Sequence, residues 1–70
     1  MEIEIISSDN ETLEKAINSL NKEFNGAVEP LEKLNSQPSV LVRLDNVYNI
    51  RKYNSHLYTF FEDTKIILTK

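Results

Sequence analysis

Leu13, Ala16, Ile17, Leu20 and Phe24 recur at i, i+3, i+4, i+7 and i+11. That spacing draws a single apolar stripe along an α-helix. Ser8 stands ahead of the stripe as an N-cap, and Glu11, three residues on, completes a capping box. Asp9 and Glu11 suit the positive end of the helix dipole. Asn25-Gly26 stops the helix, because glycine accepts the left-handed conformation that follows a helix end. In a chain of 70 residues this stripe is read as core rather than as filler for a partner's groove.

The rest of the chain reads mostly as strand. Ile3 and Ile5 alternate with Glu2, Glu4 and Ile6, which is period two. Val40, Val42 and Leu44 alternate with Leu41 and Arg43 in the same way. Between helix and strand, Val28, Leu31 and Leu34 recur every three residues, and Pro30 suits a first helical turn. A short helix or single turn over 30–35 follows, with Asn35-Ser36-Gln37-Pro38 as its exit; a pinned loop is the other reading. Asp45-Asn46 and Asn54-Ser55 are turn signals. Val47 to Tyr53 reads as strand, with a short helix capped by Asp45 as a second reading. Leu57 to Glu62 is aromatic and reads as strand, Asp63-Thr64 turns, and Lys65 to Thr69 is the last strand.

The expected fold class is α+β, one compact domain over residues 1–70. An N-terminal strand and one long amphipathic helix pack on a small antiparallel sheet with C-terminal hairpins, in the order β-α-β-β-β-β. Ordering a residue costs roughly 1.5 kcal/mol, so a chain this short is marginal without help. There is no cysteine for a disulfide or a thiolate site. No apolar run approaches the roughly 18 residues of a membrane span, and no secretory leader is visible, so a cytoplasmic location is expected. The many Asn, Ile and Lys residues are compatible with an AT-rich bacterial or phage genome.

Pairing the two C-terminal hairpins gives a sheet with two apolar faces. A two-residue loop at Asp63-Thr64 sets Glu62 opposite Lys65 and Phe61 opposite Ile66. One face then carries Tyr48, Ile50, Leu57, Phe61, Ile66 and Leu68, and the helix covers it. The other carries Val47, Arg51, Tyr58, Phe60 and Ile67. A single helix is too narrow for both, so this second face is the expected protein-binding surface unless residues 27–38 fold across it. Tyrosine and arginine are also enriched where binding energy concentrates.

Little else carries chemistry. Gly26 is the only glycine, which leaves no phosphate loop, and one histidine leaves no His-x-x-x-His metal pair. Asp9-Asn10-Glu11 is better explained by capping than by cation ligation. His56 is expected at a hairpin turn, and its neighbour Ser55 would point to the opposite face, so no Ser–His dyad forms there. Glu62 and Asp63 point apart at a turn. No catalytic residue, no metal and no cofactor is expected, and the chain is read as a non-enzyme.

Charge is uneven. Residues 1–37 balance at −5 and residues 38–70 at +2, for a net charge of −3. The acidic half is read as a solvated helix face. The expected function is protein binding through the second sheet face or a strand edge, as a small regulatory or inhibitory module, with self-association. The rival is single-stranded nucleic acid, held by Arg43, Tyr48, Arg51, Lys52, Tyr53 and Tyr58 through stacking and phosphate contacts.

Overall fold

A computed structural model describes residues 1–34 and 37–68. The elements are β1 (Glu2–Ile6), α1 (Asn10–Glu23), β2 (Val28–Leu34), β3 (Ser39–Leu44), a 3-10 turn (Val47–Asn49), α2 (Ile50–Phe60) and β4 (Lys65–Ile67). The molecule is a small α+β structure with a four-stranded antiparallel sheet in the order β2-β3-β1-β4. β1 and β2 run parallel with β3 between them, and β3 and β4 run parallel with β1 between them. Each helix therefore crosses from one strand to a non-adjacent one, the split β-α-β connectivity of ferredoxin-like chain paths. Among the described helices, none is long and apolar enough to cross a membrane.

The amphipathic stripe forms α1 as its spacing requires, and Leu13, Ala16, Ile17 and Leu20 are buried. The cap lies one residue later than Ser8. Asp9 Oδ1 accepts the Thr12 N–H at 2.7 Å, since a carboxylate accepts more strongly than a hydroxyl. Asn25 (φ 55°) and Gly26 (φ 77°) are both left-handed and end the helix. Asn21 Oδ1 then accepts the Val28 N–H at 2.7 Å, which aims the chain into β2.

Two expectations are corrected. Residues 28–34 are an edge strand, not a short helix or turn; of the connector read there, Asn35 and Ser36 lie outside the described residues. The three-residue spacing of Val28, Leu31 and Leu34 comes from a strand with a bulge: pairing with β3 shifts register between Pro30 and Glu32, and Leu31 is the extra residue. Pro30 is tolerated because an outermost strand can spare an N–H.

The larger correction concerns the C-terminal half. Val47 to Phe60 is helical, so the hairpins built on Asn54-Ser55 and Asp63-Thr64 do not form, and neither does their pairing scheme. Ile50, Tyr53, Leu57 and Phe61 are spaced i, i+3, i+7 and i+11, and this stripe packs on the core. The aromatic richness that favours a strand yields to that burial. Asn46, rather than Asp45, caps the entry by accepting the Tyr48 N–H at 2.8 Å. β4 pairs with β1 instead of a neighbouring hairpin arm. The architecture is thus β-α-β-β-α-β, with two helices and not one.

Both helices share one side of the sheet. Ile3, Ile5, Val40, Val42 and Leu44 point into the same core as Leu20 of α1 and Tyr53 and Leu57 of α2. Phe24 and Tyr53 meet edge to face at 4.9 Å and join the two helices. Ser7 and Thr64 share a buried hydroxyl–hydroxyl hydrogen bond of 2.8 Å, which ties the end of β1 to the start of β4.

Candidate functional site

The residues expected on one sheet face divide between two sides of the molecule. Val47, Arg51, Tyr58 and Phe60 are exposed on the 3-10 turn and α2, while Ile67 lies on β4. Ile67 pairs with Glu4, whose neighbours Ile3 and Ile5 face the core, so Ile67 is on the uncovered side of the sheet. The expected single surface is therefore corrected: alternation holds on a strand, but on a helix Arg51 and Tyr58 align because they are seven residues apart.

Among the described residues, the uncovered side of the sheet carries no aromatic ring. Ile6, Leu41 and Ile67 are half-buried there around Glu4. Arg43 bridges Glu29 at 3.2 Å and Glu2 at 3.8 Å across three strands. Carboxylates on both sides of Arg43 make this face a poor seat for phosphate.

Of the six residues assigned to nucleic acid, two leave the set. Tyr53 is shut in the core, 1 % exposed, where the close packing of Phe24 leaves no room for a stacking base. Arg43 is held between Glu2 and Glu29 on the opposite side of the sheet. Tyr48, Arg51, Lys52 and Tyr58 stay exposed on the 3-10 turn and α2.

Beside them lies an open groove of about 480 Å³ between the end of α1 and α2. Its apolar wall is a run of rings: Phe24 meets His56 edge to face at 5.6 Å, and His56 meets Phe60 at 4.9 Å. Arg51 and Lys52 stand on its rim, with Ser55 and Thr59 between. Lys52, His56 and Phe60 are four residues apart in succession, so one helical stripe supplies both a cation and two rings. Reading 57–62 as strand hides this stripe, and Phe24 and Ser19 are missed as its neighbours. Phe24 at the last position of the α1 stripe, next to the Asn25-Gly26 stop, was the available signal.

His56 Nε2 and Ser19 Oγ are 2.8 Å apart, a pairing of a half-buried histidine with a helix hydroxyl 37 residues away. The distance suits a base and a nucleophile, but the surroundings do not complete a catalytic unit. Ser19 is mid-helix, so the nearby backbone N–H groups are spent on helix hydrogen bonds and cannot line an oxyanion hole. The pair works as a tether that orients the His56 ring between Phe24 and Phe60. Among the described residues, no three His, Cys, Asp or Glu side chains converge as a metal site would require.

Two sheet edges bound the other route to a partner. β2 presents Pro30, a bulge and the charges of Glu29, Glu32 and Lys33, and β4 is three residues long. Such features blunt an edge against strand addition. Comparison with family models, with curated proteins and with solved structures finds no match to this chain.

Proposed function

We propose that this chain is a non-enzymatic protein-binding module that docks through the outer face of α2. The observation that supports this most is where the exposed rings lie. Tyr48, Tyr58 and Phe60 are 90 %, 78 % and 66 % exposed, and all three belong to the 3-10 turn and α2. Exposed rings on one element, mixed with Arg51 and Lys52, are the composition of an interaction surface; Tyr58 aligns with Arg51 on one flank of the helix, and Phe60 with Lys52 and His56 on the other. A fold of this size spends its apolar residues on its core first, and Tyr53, Leu57 and Ile50 already serve that purpose on α2. A regulatory or inhibitory role suits a module that presents one recognition helix on a rigid sheet.

A photo-crosslinking phenylalanine analogue tests the docking face. Placed at position 58, it is expected to trap a discrete protein adduct in cells. The same group at exposed Glu14 on α1 is expected to trap none. Adducts at position 14 equal to those at 58, or at neither position, would remove α2 as the docking face.

A further inference from the structure

We propose that the groove between α1 and α2 accepts an acidic peptide segment carrying an apolar anchor, resting on the reading of α2 as a protein-docking face. The anchor enters among Phe24, His56 and Phe60, and the carboxylates meet Arg51 and Lys52. Two features of the structure choose this occupant.

Among the described residues the groove has no carboxylate in its lining, although the whole chain carries a net charge of −3. Its two cations, Arg51 and Lys52, have no ion-pair partner among the described residues, like Lys22, Lys33 and Lys65 elsewhere, but they alone stand side by side on an apolar groove. A groove of positive sign with apolar walls complements a segment with the opposite sign and a hydrophobic side chain. A second copy of the chain is a weaker occupant, because two bodies of net −3 repel.

The second feature is a cost. Arg51 and Lys52 fall in the first turn of α2, which contains no acidic residue. The N-terminal turn of a helix carries positive partial charge and favours anions. Two cations near that end, a 3-10 turn inside the Asn46 cap, work weakly against the helix, and an incoming carboxylate relieves that opposition.

The length of α2 sets the size of the segment. Eleven residues span about 16 Å, matched by a partner helix of about three turns.

Selection from a displayed library of random peptides of about 12 residues against the whole chain tests this. The selected peptides are expected to combine Asp or Glu with Leu, Phe or Trp. In fluorescence anisotropy, the Arg51→Glu/Lys52→Glu variant is expected to bind them at least about tenfold more weakly, and Asp→Asn, Glu→Gln peptides to lose affinity in parallel. The variant's thermal midpoint is expected to stay level or rise, which separates lost recognition from lost folding. Peptides without acidic residues, indifferent to charge reversal but lost on Tyr58→Glu or Phe60→Glu, would overturn the acidic occupant and leave α2 as a docking face. Peptides indifferent to every α2 substitution, or no enrichment at all, would overturn both. Tighter binding of a thymidine oligonucleotide of about 20 bases, lost on the same charge reversal, would assign the cations to nucleic acid and overturn the proposal.

Discussion

The Tyr53 hydroxyl donates a 2.6 Å hydrogen bond to Asp45 Oδ1, while its ring is buried against Phe24. One side chain thereby fixes α2 to the core and also to the turn that leaves β3. Burial, and then the hydrogen bond to Asp45, raise the Tyr53 phenol above its ordinary value of 10.0. The unfolded chain therefore releases this proton at lower pH than the folded one. Stability from Tyr53 is intact below pH 10.0 and drains as the pH climbs through the raised folded value. Tyr53→Phe is expected to cost about 1 kcal/mol at neutral pH and to remove this part of the alkaline loss. Urea midpoints of both proteins at neutral pH and above pH 10.0 check it.

Asp9 gives the opposite dependence. The Thr12 backbone N–H, then the Thr12 side chain, hold its carboxyl below the ordinary 3.8. Its contribution is present above pH 3.8 and is lost as the pH falls through the lower folded value. Asp9→Asn keeps a capping acceptor but cannot titrate. The variant is expected to hold its neutral-pH stability and to lose less helical signal in acid, as followed by circular dichroism.

Leu57 and Phe60 stand three residues apart on α2 with opposite roles. Leu57 is fully buried and Phe60 is mostly exposed. Leu57→Ala is expected to cost about 2–5 kcal/mol, and Phe60→Glu to stay within about 0.5 kcal/mol of the parent. Chemical denaturation of the two variants reads the difference. A large loss for Phe60→Glu would return that ring to the core.

Ser39 Oγ is buried with no hydrogen-bond partner among the described residues. Ser39→Ala removes an unsatisfied hydroxyl without leaving a large void. It is expected to be neutral or to stabilise by up to about 1 kcal/mol, seen as a level or higher thermal midpoint. A loss of that size would show that the hydroxyl has a partner in solution.

The β2 edge is expected to keep copies apart. Replacing Pro30 and Glu32 by Val restores an N–H and removes a charge from the outermost strand. Sedimentation is expected to show concentration-dependent association in Pro30→Val/Glu32→Val that exceeds the parent's. Equal behaviour of the two would mean that this edge is guarded by something else.

The legibility of the sequence differs between its halves for a physical reason. α1 is readable because its stripe, its cap region and its glycine stop agree on one answer. β1 and β3 are readable because Ile3 and Ile5, and Val40 and Val42, alternate cleanly on strands with one buried side. In α2 the signals conflict. Tyr53, Leu57 and Phe61 carry helical spacing, but Tyr58 and Phe60 stand beside them with no burial to pay for their apolar character. Those exposed rings make the run look like a strand with two apolar sides. Residues placed for a surface, not for the core, are what blur the pattern. The same effect explains Ile67, which shares a side of the sheet with none of the other four residues grouped with it. The groove itself is not legible at all, because Phe24 and His56 meet only once two helices have packed.

Amide chemical-shift mapping decides most directly whether α2 is the working surface. A saturating selected peptide is added to the isotopically labelled chain. The shifts are expected to concentrate at Phe24 and along Arg51 to Phe60, with Glu4, Leu41 and Arg43 unmoved. Shifts centred on those three sheet residues, with α2 silent, would contradict the assignment and move the docking surface to the uncovered side of the sheet.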